Sequence, residues 1–440
     1  MPRRTARRGR RVAAVTTASL LLAAGAVIGG GTALAAERAT TCRAVSVPFT
    51  VGDQSGPIAG TLCVPPGAST VQLLVHGWTY EQHYFDWPDQ PETYSYARAA
   101  NAAGYATLAI DRLGSGASMR PISLFHTFQA GVNAMHTVVQ ALRDGSLGSP
   151  FHKVIAVGHS LGSMTVSHEA GQYKDVDALI TTGFSHSINY LSTFPRVVGR
   201  DYPARSDPKF AGTISDPAYL TSMPGTRKYF YHEPNVDPAV VERDEELKST
   251  GSLVELATLG TYNLLNVDRT LEIPVLALNG QKEPFFCGLQ AADCTSDESL
   301  AAHERPWYGP GAVVEAATIP DTGHNTAIEK TAPFSARRML EFCDKYVGRG
   351  SGAVGTAPGK RPPVPAPSTA PVSPLDQAVG TAFTTAVLPA VGAYSDAISG
   401  VPGLGDSTNP IPGTSEALST IGNLNDQLLG TLPQEALANL

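Results

Sequence analysis

Six short apolar runs recur through the middle of the chain with helix-length intervals between them: Val71–Val75, Tyr105–Ile110, Val154–Val157, Ala178–Thr182, Val275–Leu278 and Val313–Ile319. They are nearly continuous in apolar residues and lack the apolar–polar alternation of a strand wetted on one side. Strands of this kind are covered on both faces, so the pattern predicts an α/β architecture with a mostly parallel central sheet flanked by helices. Upstream, Cys42 and Cys63 bracket a predicted strand hairpin. The run Val154–Val157 leads through Gly158-His159-Ser160-Leu161-Gly162 into a helix-like stretch from Met164 to about Tyr173.

One interval is too long for a simple crossover. Between Phe184 and Ile273 lie about ninety residues that include Tyr219, Tyr229, Phe230, Tyr231 and Tyr262. An inserted helical cap over about 185–270 is the economical reading, and ordinary surface helices are the alternative. After Tyr346 the character changes. Residues 349–374 are rich in Pro, Gly and Ala, with Arg361-Pro362-Pro363-Val364-Pro365-Ala366-Pro367 favouring an extended linker. Within the tail, residues 375–440, Leu375, Val379, Phe383 and Val387 form one helical stripe. Leu418, Ile421, Leu424 and Leu428 form another, with Thr414 or Ser415 available as a cap. Such a tail could contact the cell envelope or another protein.

The first 35 residues have the form of a processing signal. Arg3, Arg4, Arg7, Arg8, Arg10 and Arg11 precede an apolar stretch from about Val12 to Ile28, and Ala33-Leu34-Ala35 supplies a small-x-small cleavage site. The apolar stretch is short and broken by glycine, which favours an exported, secreted protein over a retained anchor, so the mature chain is expected to carry no transmembrane segment. Both the general and the twin-arginine export routes remain open. Cleavage would remove six arginines and no acids, taking the formal charge from −7 to −13. So acidic a protein does not suit nucleic acid or an anionic membrane as its main partner. Five cysteines fit an oxidising compartment: Cys42 with Cys63 and Cys287 with Cys294 are the local disulfide candidates, leaving Cys343. No C-x-x-C or His pairing at ligand spacing supports a metal site.

The chemistry centres on Ser160. A serine on a sharp strand-to-helix turn presents its hydroxyl above the sheet, over a helix N-terminus that favours negative charge. It needs a base, a group to orient that base, and donors for the developing oxyanion. His324 is the base candidate, on the loop after the last predicted strand in Pro320-Asp321-Thr322-Gly323-His324-Asn325. His136 and His168 fall within predicted helices and read as surface or packing residues. Glu283 is the acid candidate, on the loop leaving Val275–Leu278, with Asp293 and Asp297 as competitors. The backbone N–H groups of Leu161 and of Trp78, in His76-Gly77-Trp78, are the oxyanion-hole candidates.

These features together resemble an α/β-hydrolase-fold serine hydrolase of the secreted esterase or lipase kind, over about residues 58–346. The resemblance rests on His76-Gly77-Trp78, Asp111-Arg112-Leu113-Gly114-Ser115-Gly116-Ala117-Ser118, the Gly158–Gly162 turn, Gly280-x-x-Glu283 and Gly323-His324. The second of these is similar to the D-x-x-G-x-G-x-S loop after the fourth strand of many members. The resemblance implies a catalytic domain over 36–348, a Ser160–His324–Glu283 triad, an oxyanion hole at Trp78 and Leu161, and no cofactor. Glu283 stands where many members carry Asp. The implied activity is cleavage of a small-molecule or lipid-like carboxylic ester through an acyl-enzyme. Peptide, lactone or thioester cleavage and acyl transfer use the same groups. A binding protein on an unused hydrolase fold is a further alternative, as is a polymer-directed enzyme targeted by its tail.

Overall fold

The computed structural model describes residues 39–189, 192–193, 200–259, 267–288 and 291–350. The expected signal segment, the tail beyond 350 and Tyr262 lie outside the described residues.

An eight-stranded sheet carries the fold. In chain order its strands are β1 (Thr41–Val51), β2 (Gln54–Val64), β3 (Thr70–Val75), β4 (Ala106–Ile110), β5 (Lys153–His159) and β6 (Ala178–Thr182). Three strands of a second sheet follow: β7 (Asp201–Pro203), β8 (Tyr219–Ser222) and β9 (Gly251–Ser252). The last two strands of the main sheet are β10 (Val275–Gly280) and β11 (Val314–Ile319). The spatial order is β1-β2-β4-β3-β5-β6-β10-β11. Pairing is antiparallel at β1–β2 and β2–β4 and parallel from β4 to β11.

The unbroken apolar runs have a direct structural cause. Along β3 every residue is buried, and successive side chains enter different cores. Leu74 belongs to one hydrophobic cluster with Ile155, Val157, Ile180 and Leu278, whereas Leu73 and Val75 belong to another with Leu108, Val154 and Leu179. The two clusters occupy opposite faces of the pleat, each sealed by helices. The long helices Phe128–Asp144, Leu161–Tyr173 and Ala332–Tyr346 provide much of that cover. At the edge, β1 alternates exposed and buried positions instead, so one of its faces meets water.

Both local cysteine pairs form disulfides. Cys42 and Cys63 face each other in the β1–β2 register, and Cys287 joins Cys294 across a short loop. Cys343 is a buried free thiol.

The insertion differs from the expected helical cap. Its described part holds the antiparallel sheet β7-β8-β9 together with helices Pro238–Leu247 and Leu253–Ala257 and several single 3₁₀ turns. Pro203, Pro208, Pro217 and Pro224 account for this mixture, since each removes a backbone donor and clashes with a continuing helix. Among the described residues, no helix is long and apolar enough to cross a membrane.

Candidate active site

The turn after β5 carries its strain on the serine. Ser160 has φ 53° and ψ −122°, a conformation that costs a residue with a side chain on the order of 1–3 kcal/mol. Neighbouring contacts hold it there: the Ser160 N–H donates to the Thr182 carbonyl at 2.8 Å, and the helix Leu161–Tyr173 starts at once. The flanking glycines supply space. A Cβ on Gly158 would come within 2.4 Å of Ser163 Cα, and one on Gly162 within 2.3 Å of the Val75 carbonyl oxygen. The backbones of β3, β5 and the helix therefore converge under the serine, a packing that excludes any larger residue.

The His76-Gly77-Trp78 loop abuts this turn. A Cβ on Gly77 would lie 3.0 Å from Ser160 Cβ. That proximity brings the Trp78 amide toward the serine from one side while Leu161 opens the helix on the other. The Leu161 N–H is one of the first-turn donors that have no intrahelical acceptor. Among the described residues neither amide is matched to a protein acceptor.

His76 is a brace. Its Nε2 accepts the Arg112 N–H at 2.9 Å, so the proton must sit on Nδ1, which donates to the Gly77 carbonyl at 2.9 Å. Burial, with the Arg112 charge adding to it, holds this imidazole well below its ordinary pKa and keeps it neutral. The Asp111–Ser118 loop is scaffolding of the same kind. Asp111 accepts from the Gln82 and Ala117 amides, both at 2.9 Å, and a Cβ on Gly116 would collide with its carboxylate. Ser118 Oγ donates to the Asp111 carbonyl at 2.6 Å and accepts the Ala59 N–H at 2.9 Å.

His324 and Glu283 meet across the ends of the last two strands. The His324 Nδ1 lies 2.7 Å from Glu283 Oε2, and the other carboxylate oxygen accepts the Phe285 N–H at 2.8 Å. Glu283 is thus satisfied at both oxygens while only 3 % exposed, and the bond selects the Nδ1–H tautomer, leaving Nε2 as a base. The motif glycine has a role here too. A Cβ on Gly280 would come within 2.0 Å of the Thr322 carbonyl, so only glycine lets β10 close against the histidine loop. The competitors fall elsewhere: Asp293 bonds its own loop at Thr295, and Asp297 caps Thr318 and pairs with Arg338.

The His324 ring lies 4.6 Å from that of His159, the residue before the serine. No direct hydrogen bond between Ser160 Oγ and His324 is formed among the described contacts. In free enzymes this bond is commonly long and tightens only when substrate arrives. Ser160 is half-buried, whereas His324, Trp78 and Leu161 are buried, so the serine is the accessible member of the group.

Several residues that sequence reasoning did not single out position this group. The Phe230 carbonyl, from the insertion, accepts both the His324 and Asn325 amides at 3.1 and 3.2 Å. Asn325 meets the Tyr80 hydroxyl, and Tyr231 donates to Asp244 at 2.7 Å. Arg227 pairs with Asp244 at 2.7 Å and lies 3.9 Å above the Tyr80 ring. Glu329 accepts the Gly323 and His232 amides, and burial pushes its carboxyl up to about 8. Asp201 accepts the Trp78 indole N–H at 2.8 Å, and burial raises it to about 7 despite that bond. No motif marks these residues, and several act through partners far away in the chain, as Tyr80 does with Asn325 and Asp201 with Trp78. Phe230, Phe285 and Phe286 form an apolar wall around His324, with ring centroids 5.9, 4.7 and 6.1 Å from it.

A strained serine between β5 and a helix, a histidine after β11, a carboxylate after β10 and this strand order define an α/β hydrolase. The alpha/beta hydrolase family model matches residues 72–337, more than half of the chain, and the chain belongs to that family. No curated protein matches it in sequence. Solved structures similar to it include a serine hydrolase involved in carbazole degradation, at 17 % identity, covering 69 % of this chain and 100 % of that one with a TM-score of 0.41. Another is a putative aryl esterase from Burkholderia cenocepacia, at 15 % identity, 70 % and 100 % coverage and a TM-score of 0.47. A third is Est1E from Butyrivibrio proteoclasticus with bound ferulic acid, at 14 % identity, 69 % and 99 % coverage and a TM-score of 0.43.

Proposed function

We propose that this hydrolase is a secreted carboxylic ester hydrolase working through a Ser160–His324–Glu283 triad. The observation that carries the reading is the buried 2.7 Å contact between His324 Nδ1 and Glu283 Oε2 beside a serine held at φ 53°. In the proposed cycle His324 Nε2 takes the Ser160 proton as Oγ attacks the ester carbonyl. Glu283 holds the imidazole and stabilises the imidazolium that forms. The Trp78 and Leu161 amides, the latter at a helix N-terminus, receive the charge on the carbonyl oxygen. His324 then protonates the leaving alcohol and activates the water that releases the acid.

The phenylalanines around His324 favour an apolar acyl or alcohol group on a small-molecule or lipid-like substrate. The signal-like first 35 residues and the two disulfides support export. Hydrolysis of p-nitrophenyl esters of graded acyl length, set beside matched amides and lactones, tests the reading. Ester turnover should exceed that of the other panels and vanish in Ser160→Ala; ester turnover equal to that of Ser160→Ala would refute it.

A further inference from the structure

Away from the serine, three chemistry-bearing side chains converge where two helices pack on each other. His136 comes from the helix Phe128–Asp144, Glu169 from the last turn of Leu161–Tyr173, and Asp175 from just beyond that helix. One ligand atom from each of the three lies within 4.8 Å of the other two. Each contributes a buried atom with no hydrogen-bond partner among the described residues: His136 Nδ1, Glu169 Oε1 and Asp175 Oδ1. Nδ1 lies 2.8 Å from Asp175 Oδ2 and 3.4 Å from Glu169 Oε1, yet neither oxygen is aligned with the ring N–H direction. Native structures seldom leave one such atom orphaned, and three in one cluster call for a shared partner. The Glu169 side chain is only 1 % exposed, so water cannot readily serve its carboxylate.

The surroundings aim these groups at one point. Lys174 adopts φ 55° and closes the helix, which turns the chain so that Asp175 faces back toward Glu169. Arg143 grips the Asp175 carbonyl at 2.7 Å, and Gln140 Nε2 holds Asp175 Oδ2 at 2.6 Å, leaving Oδ1 free. The Tyr173 ring stacks on His136 at 3.7 Å and fixes its plane. Two carboxylates and the C-terminal end of the helix face one imidazole there.

We propose that His136, Glu169 and Asp175 form a binding site for a divalent transition metal of the zinc class, stapling the two helices together. One imidazole and two carboxylates make a donor set that zinc accepts, with a water in the fourth position. Tetrahedral ligands at about 2.1 Å from zinc stand about 3.4 Å apart, so three groups within 4.8 Å of one another close on the ion by side-chain adjustment. A bound cation would take the place of the proton that the two carboxylates favour on His136. Gln140 would then be the outer partner that orients a ligand. The site uses none of the residues assigned to ester cleavage, so it stands or falls apart from that activity.

The test is calorimetric titration of the full, chelator-treated protein with zinc chloride. One equivalent should bind, Glu169→Gln and His136→Gln should each weaken it at least tenfold, and Ser160→Ala should not change it. Gln140→Met, which leaves all three ligands in place, should weaken binding by about ten- to a hundredfold, covering the case in which a ligand variant fails to fold. Crystals grown with zinc should give an anomalous peak about 2.0–2.2 Å from the three atoms. No stoichiometric binding by the wild type, undiminished binding in the variants, or calcium binding more tightly than zinc would overturn the proposal.

Discussion

His324 and His186 are both buried against carboxylates at hydrogen-bond distance, and the difference between them shows what a general base requires. His324 is engaged at one nitrogen, by Glu283. His186 is engaged at both, with Nδ1 2.6 Å from Glu304 Oε2 and Nε2 2.8 Å from Asp268 Oδ2. Its ring also lies flat against Trp307 at 4.9 Å. Burial alone would lower the pKa of His186, but the two carboxylates outweigh it and raise the group to about 9. His186 is therefore a fixed imidazolium at neutral pH. It follows β6 where the insertion begins, and Asp268 lies where the insertion ends, so it clips both roots of the insertion to Glu304 of the sheet domain. At His186 the second carboxylate makes the imidazole a structural cation. In the proposed triad His324 keeps one nitrogen for chemistry.

The sharpest way to break this comparison is at the serine. Ser160→Ala should lower kcat on an accepted ester by on the order of a million-fold while leaving the melting temperature nearly unchanged, because alanine keeps the Cβ and the same backbone turn. Glu283→Gln should come next, at about ten-thousand-fold in kcat, since it removes the charge that holds the tautomer and stabilises the imidazolium. His186→Gln should do the opposite, costing about 3–5 kcal/mol of stability by leaving two buried carboxylates unbalanced, with kcat of the folded fraction little changed. Denaturant melts and steady-state kinetics on one preparation separate the two outcomes.

The pH dependence follows from the same assignment. The folded pKa of His186 is raised from 6.5 to about 9, so its stabilising contribution is complete below about 6.5 and is lost as pH rises through about 9. Melting temperature measured across pH 6–10 should fall on the alkaline side, and that fall should be smaller in His186→Gln. Glu329→Gln should have the smallest effect, within about 1 kcal/mol and a few-fold in kcat. Burial already pushes this carboxyl up to about 8, so the neutral side chain resembles the form present at pH 7.

The contrast also explains what could be read from sequence. The parallel strands of the main sheet were legible because burial on both faces leaves continuous apolar runs, and Ser160, Glu283 and His324 each follow such a run. The insertion was not. Strand β9 is two residues long and β7 three, too short for any periodicity to register. The positioning groups were hidden by distance: Arg227 donates to Thr79 across 148 positions and Tyr80 to Asn325 across 245. His186 sits in an unremarkable Ser-His-Ser segment, and only the folded chain brings Asp268 and Glu304 to it. His136 illustrates the same limit, since its helical position read as packing until Glu169 and Asp175 were seen beside it.

The central claim is that Ser160 is a nucleophile activated by His324, and covalent labelling reads that most directly. The full protein treated with a fluorophosphonate, then digested and analysed by mass spectrometry, should carry one phosphonyl adduct, on Ser160, with labelling at least a thousandfold slower in His324→Ala. An unlabelled wild type, an adduct on another serine, or equal labelling of His324→Ala would contradict the account.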